Sequence, residues 1–291
     1  MFVQYDWTPG RKWEIVAAAR YDYFSDGRHS HVTPKASARF TPARRLNLRA
    51  SYGMGFRAPT LKEKYYEFDM AGIWIVKGNP ALKPELSHNL NLSADYTKGR
   101  YNLTAMACYN RIENRITTGL PYSLPDDGGQ LYLDYVNLDN YHSLGAELTV
   151  QAAWSCGISA KISYTYTREF DLRDGADNQY MPARPHSLTA RINWQKTFCG
   201  RHTLDLGLNG RFLSAVTNRE YKDYYDLSQG AAAVRYPAYT VWKLSAVQTV
   251  CDKVKLTLTL DNLFNYRPKY YYLNAPLTDG INLMAGLSLQ I

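Results

Sequence analysis

The sequence predicts an all-β, antiparallel transmembrane β-barrel, and three of its features carry that expectation. Long segments alternate apolar and polar residues with a period of two, which puts successive side chains on opposite faces of a strand. Their connections alternate strictly between tight turns and large loops. Tyrosine, 25 of the 291 residues, is the one count out of line with an ordinary domain.

Taken in chain order, Phe2–Trp7 reads as the second half of a strand running into a short turn at Pro9–Lys12. Leu86–Tyr96 and Gly157–Thr167 alternate throughout. Ser187–Gln195 sets Leu188, Ala190, Ile192 and Trp194 against Thr189, Arg191, Asn193 and Gln195. In His202–Ser214, Leu204, Leu206, Leu208 and Phe212 oppose Asp205, Asn209 and Arg211. Val254–Asp261 alternates Val254, Leu256, Leu258 and Leu260 with Lys255, Thr257, Thr259 and Asp261. The last segment shows Ile281, Leu283, Ala285, Leu287, Leu289 and Ile291 on one face. About a dozen such strands are expected, plus the partial first one, and helical spacing fits none of them.

A soluble sandwich would also alternate, but its strands are usually about 5–6 residues long, whereas these run roughly 10–20. Short connections lie near Pro9–Lys12, Pro42–Arg45, Lys98–Arg100, Trp154–Gly157, Phe198–Arg201 and Cys251–Lys253. Long ones cover Ser25–His31, Arg57–Glu85, Thr118–Gln130, Asp171–Pro185, Thr217–Pro237 and Asn265–Gly280. Tight turns on one rim and large loops on the other are the layout of outer-membrane barrels. Lipid requires every backbone group to be paired, which a closed ring of strands achieves. Tyrosine then has a use at the membrane–water boundaries, and Tyr21, Tyr23, Tyr52, Tyr96, Tyr109, Tyr164 and Tyr166 are expected near strand ends. No apolar run approaches the roughly 18 residues of a membrane helix.

The face turned away from lipid carries both signs of charge. Basic positions include Arg20, Lys35, Arg39, Arg49, Lys161, Arg191, Arg211, Lys243 and Lys255. Glu14, Asp22, Asp95, Glu147, Asp205 and Asp261 are acidic. A water-filled channel tolerates this pattern, and so does a lumen whose charges are answered by an inserted domain. The net charge of +8 suits contact with anionic lipopolysaccharide and calls for no nucleic-acid partner. The opening residues do not read as an export signal, so an upstream portion is expected. Gly286-x-x-Leu289-x-Ile291 resembles the terminal strand signal read by the barrel assembly machinery, with Ile291 where an aromatic residue is usual.

The stretch Tyr52–Glu85, YGMGFRAPTLKEKYYEFDMAGIWIVKGNPALKPE, resembles the paired FRAP and NPxLKPE boxes of TonB-dependent outer-membrane receptors. Tyr21-Asp22 with Val32-Thr33-Pro34-Lys35, Gly145-Ala146-Glu147, and Asp261-Asn262-Leu263-Phe264-Asn265 resemble further motifs of that family, in order. The resemblance implies that 1–291 is the C-terminal portion of a 22-stranded barrel, supplying 12 or 13 strands. It also implies an N-terminal plug and a TonB box, outside this chain, that would contact the TonB energy-transducing complex. The implied function is energised uptake of a bulky nutrient: a ferric siderophore or other iron chelate first, haem or cobalamin next. Haem receptors commonly place a His between the two boxes, and Thr60–Gly78 has none.

Arg57 is read as shaping the loop, pairing with a carboxylate on the barrel rim or plug, or contacting ligand directly, and Pro59, Pro80 and Pro84 as stiffening the loop. Tyr65, Tyr66, Tyr224, Tyr225 and Tyr271 are candidate ligand contacts, since such rings stack on catecholates and macrocycles or pack loops together. Arg49, Glu147, Arg191, Arg211 and Asp261 are expected to face the lumen or plug. No metal site, resident cofactor or catalytic set is expected: His29 and His31 stand two apart on a loop, and no Ser/His/acid triad shares a rim. Cys156, Cys199 and Cys251 fall in short turns, and sequence leaves their pairing open. A passive porin is the competing function.

Overall fold

A computed structural model describes the chain apart from residues 25–28, 71–73, 120, 125–129, 139–140, 172–181, 199–200, 224–228, 252, 271–277 and 290–291. Strands β1 (Phe2–Trp7), β2 (Trp13–Phe24), β3 (His29–Ala43) and β4 (Leu46–Arg57) come first. The next connection carries helix α1 (Leu61–Tyr65) and strands β5 (Glu67–Met70) and β6 (Trp74–Lys77). After β7 (Glu85–Lys98) and β8 (Tyr101–Glu113) come the short β9 (Arg115–Thr118), β10 (Tyr122–Ser123) and β11 (Leu131–Leu138). Then follow β12 (Tyr141–Ala153), β13 (Ile158–Asp171), β14 (His186–Phe198) and β15 (His202–Leu213). A hairpin of β16 (Val216–Tyr221) and β17 (Ala231–Tyr236) precedes β18 (Tyr239–Val250), β19 (Val254–Asp261) and β20 (Asn282–Leu289).

Thirteen of these strands form one antiparallel sheet in the order β1-β2-β3-β4-β7-β8-β12-β13-β14-β15-β18-β19-β20. Each neighbour is the next long strand in the chain, so the sheet is an up-and-down meander of the kind that builds membrane barrels. Short and long connections alternate as the sequence puts them, with one correction. Strand β3 already starts at His29, so His29, Ser30 and His31, expected in the long connection Ser25–His31, lie in the strand opposite Phe24, Tyr23 and Asp22. Cross-strand pairing and stacking of His31 on Phe56 extend the ladder there. Register turns the alternation into continuous bands. Ile192 lies opposite Leu208, Leu208 opposite Leu244, Leu244 opposite Leu260, and Leu260 opposite Leu283. One residue along, Arg191, Asn209 and Lys243 form the facing polar row. A slip of one residue would send the charged row into lipid, so the bilayer fixes the register.

Two local features follow from residue type. Pairing of β3 with β4 shifts between Phe40 and Ala43, where Pro42 has no N–H to give the ladder. Gly157, in the turn before β13, has φ +88°, and a Cβ there would stand 2.0 Å from the Gln195 carbonyl oxygen. Only glycine serves that position.

Buried apolar side chains are found in the loops and where long strands meet them, as at Leu213 ending β15 and Tyr239 opening β18. Val76, Leu82, Ile116, Leu131 and Tyr132 are buried in one cluster of connections, and Leu213, Val216, Tyr236 and Tyr239 in another. Leu256 and Leu258 on the sheet are about half exposed (48% and 50%), on the apolar face that the alternation turns toward lipid.

The tyrosines correct one expectation. Tyr52, Tyr109 and Tyr164 stand within their strands rather than at the ends, because strands of 12–14 residues overrun the roughly 9–11 that cross a bilayer. Each hydroxyl hydrogen-bonds a histidine Nδ1 on the neighbouring strand: Tyr52 to His88 at 2.8 Å, Tyr109 to His142 at 2.6 Å, Tyr164 to His186 at 2.7 Å. The three pairs join β4 to β7, β8 to β12 and β13 to β14, the hairpins whose connections are long.

Candidate functional site

The two boxes fold into a cap above the sheet. Arg57 ends β4, and Pro59 and the extended Thr60 turn the chain into α1. Thr60 and Glu63 form a capping box: the Thr60 hydroxyl accepts from the Glu63 N–H, while a Glu63 carboxylate oxygen accepts from the Thr60 N–H at 2.7 Å. A five-residue helix has little stability of its own, so it depends on this cap and on tertiary contact. Gly78 supplies close contact, since a Cβ there would lie 2.7 Å from the helix backbone at Lys64 and Tyr65.

Arg57 joins three segments. Its Nε and one terminal nitrogen donate to the two oxygens of Glu85 at 2.7 and 2.8 Å. The other terminal nitrogen donates to both oxygens of Glu63 at 2.8 and 3.0 Å. Glu85 also accepts the Ile116 N–H at 2.6 Å, which brings in the second long connection. Bidentate Arg–carboxylate geometry is among the strongest and most directional of polar contacts. Burial works against ionisation of Glu63, but the Thr60 amide, the Arg57 guanidinium and the Thr60 hydroxyl outweigh it and hold the carboxyl below its ordinary range.

The second box completes the lock. Asn79 accepts the Ala81 N–H at 2.9 Å and donates to the Tyr135 carbonyl at 2.9 Å. Asn137 accepts from the Lys83 N–H at 2.8 Å and donates to the carbonyls of Lys83 and Asn114 at 3.0 and 2.7 Å. Strand β11 pairs parallel with β6 and antiparallel with β9 and β10, so both connections share one small sheet. Tyr65 and Tyr66 are left open on top, 61% and 55% exposed.

A second cluster lies where the connections after β13, β15 and β19 meet. Arg184, buried, donates to the Pro237 carbonyl at 2.8 Å, and its guanidinium sits 4.9 Å over the Tyr239 ring. Tyr239 stacks on Tyr266 at 5.0 Å, and Tyr266 meets Tyr270 hydroxyl to hydroxyl at 3.1 Å. Sequence reasoning passed over Arg184 and Tyr266, which lie outside any motif. Tyr224, Tyr225, Tyr271 and Ile291 lie outside the described residues.

Of the lumen candidates, Arg49 pairs with Asp95 on the polar face. Glu147 accepts from the hydroxyls of Thr149 and Ser163 at 2.9 and 3.1 Å. Arg191 donates to Asn209 at 2.8 Å, Arg211 stands opposite Thr189 and Val241, and Asp261 opposite Asn282. Gly286 faces Thr257, and Leu289 closes β20 opposite Val254. Among the described residues, no three His, Cys, Asp or Glu side chains cluster to hold a metal ion. Cys108, Cys156 and Cys251 are free thiols, and Cys199 lies outside the described residues.

A meander of lipid-faced strands, a polar inner face and a folded loop cap define the wall of an outer-membrane receptor barrel. The TonB dependent receptor-like β-barrel family matches residues 1–263, and the chain belongs to that family, in the bacterial outer membrane. An iron-regulated outer membrane virulence protein of Vibrio cholerae is 23% identical over 278 residues, covering 92% of this chain and 41% of that protein. A vitamin B12 transporter, BtuB, of Photobacterium profundum is 24% identical, covering 87% and 37%. The chain thus spans about two fifths of the length of these relatives. The siderophore receptor PirA of Pseudomonas aeruginosa superposes with a TM-score of 0.74 at 17% identity, covering 99% of this chain and 47% of that one. The FrpB iron transporter of Neisseria meningitidis gives 0.73 at 17%, covering 99% and 44%. These likenesses show the fold.

Proposed function

We propose that the chain forms barrel wall and extracellular cap of a receptor for TonB-energised uptake of a bulky nutrient, most favourably a ferric siderophore or other iron chelate. The observation that carries this reading is the cap: two long connections locked by Arg57, Glu63 and Glu85, with the rings of Tyr65 and Tyr66 exposed on it. Open aromatic rings on a rigid frame suit a flat or macrocyclic ligand. The names of the relatives support iron chelates first and cobalamin second. The work is binding and release, with no bond made or broken. TonB, through a plug outside this chain, and the barrel assembly machinery, reading Gly286 and Leu289, are the partners this reading requires.

Uptake of labelled ferric siderophores and of labelled cobalamin into cells lacking the gene, with and without TonB, tests the reading. Loss of TonB-dependent accumulation of an iron chelate is the expected result. Undiminished, TonB-independent entry of small solutes would instead favour a passive channel.

A further inference from the structure

We propose that the lipid-facing side of β7, β8, β12 and β13, at its long-connection end, is a docking site for the phosphorylated headgroup of lipopolysaccharide, centred on Arg111 and Arg168. This goes beyond the uptake reading and does not rest on it. Among the described residues of the long strands, the lipid-facing rows carry charge only at Lys98, Arg111, Glu113, Arg168 and Lys196. Lys98 and Lys196 stand beside short turns. Arg111 and Arg168 stand at the other end, each ten residues beyond the first residue of its strand. At about 3.3 Å per residue and a tilt of about 40°, that is roughly 25 Å, the full height of the apolar band. The two arginines therefore lie where acyl chains give way to headgroups.

The surface around them is ordered. Arg111 stands directly opposite His88 on β7 and His142 on β12, and His142 stands opposite Phe170 on β13. Arg168 is opposite Leu144, so the two arginines flank β12 from either side. Between them His142 is fully buried, with its Nδ1 held by the Tyr109 hydroxyl and its ring stacked on Phe170 at 5.6 Å. The Arg168 guanidinium lies 5.4 Å from the centre of that same Phe170 ring. Arg111 gives one terminal nitrogen to Glu113 at 2.9 Å and stays exposed. A guanidinium has five N–H donors, so this contact leaves others to fork onto phosphate oxygens. Toward the membrane interior the same rows drop to small residues: Ala107 opposite Ala146, with Leu92 on one side and Tyr166 on the other. A cationic head over a shallow apolar track fits an anionic amphiphile better than a free ion. These strands stand in the interior of the sheet and on its outer face. Neither further strands joined at β1 or β20 nor a domain inside the lumen would cover them.

Native mass spectrometry of the full receptor in detergent, counting bound lipid whether copurified or added, tests the site. The probes are lipid A with two phosphates, the same lipid with both phosphates removed, and inorganic phosphate. The wild type is expected to hold the phosphorylated lipid roughly tenfold or more tightly than the dephosphorylated one, and R111Q/R168Q to lose that preference. Lys196→Gln, at the opposite end of the same face, should keep it. Glu113→Gln, which removes the ion pair but leaves both arginines, should keep it too. An equal loss in Lys196→Gln would reduce the effect to general charge attraction, and an equal loss in Glu113→Gln to the ion pair; either overturns the site. So would a wild type without preference for phosphate, or displacement of the lipid by an equal concentration of inorganic phosphate.

Discussion

Leu206→Arg should cost the folded barrel about 2–4 kcal/mol, the penalty for a cation at the midplane of a lipid-facing strand. Leu206 is paired with Trp194 on β14 and Ala246 on β18, and it shares its face with Leu204 and Leu208. It lies four residues above His202 at the short-turn end of β15. At about 3.3 Å per residue and a strand tilt of about 40°, that is roughly 10 Å up an apolar band about 25 Å tall. The guanidinium thus starts near the band's centre, where reaching either boundary is hardest. Arg211→Gln, on the opposite face of the same strand, should change stability by less than about 1 kcal/mol. Denaturant titration of the full receptor refolded into lipid vesicles, followed by tryptophan fluorescence, measures both. Equal losses, or a larger loss for Arg211→Gln, would refute the facing assigned here.

Gly157→Ala should destabilise by at least about 1–3 kcal/mol in the same titration, since φ +88° and the Gln195 carbonyl both exclude a Cβ. Glu63→Gln should cost the cap about 1 kcal/mol and speed hydrogen exchange through α1 without altering exchange in β15. Glu63 is held below its ordinary value of 4.5, so its contribution is complete above that pH and is lost as pH falls through the lower folded value. Exchange in Thr60–Tyr65 should therefore accelerate on acidification below about pH 4.5, beyond the intrinsic rate change. Tyr66→Ala should weaken ligand capture with cap exchange unchanged, whereas Arg57→Ala should loosen the cap itself; equivalent exchange profiles would separate neither role and contradict the network.

The long strands were legible because lipid imposes a strict rule on every second residue. Leu256, Leu258 and Leu260 against Lys255, Thr257 and Thr259 leave one facing and one register. The cap was legible only as motifs. Strands β5, β6, β9 and β10 have from two to four residues, too few for periodicity, and β6 pairs in parallel with β11 from a distant connection. The Thr60-x-x-Glu63 capping box was a usable signal for α1. Arg57 was read as a partner for a carboxylate of barrel rim or plug, but sequence gave no means of naming Glu63 and Glu85. Arg184 and Tyr266 meet only through folding of three separate connections, which no local pattern encodes.

The central claim is that odd and even positions of each long strand face different solvents. Single cysteines placed from Asp205 through Arg211, in a receptor whose own cysteines are replaced by serine, test it most directly. Labels at 206, 208 and 210 should be quenched by bromolipid and protected from a water-soluble thiol reagent, while 205, 207, 209 and 211 should show the reverse. A smooth gradient along the segment, or a period near 3.6, would contradict the barrel wall described here.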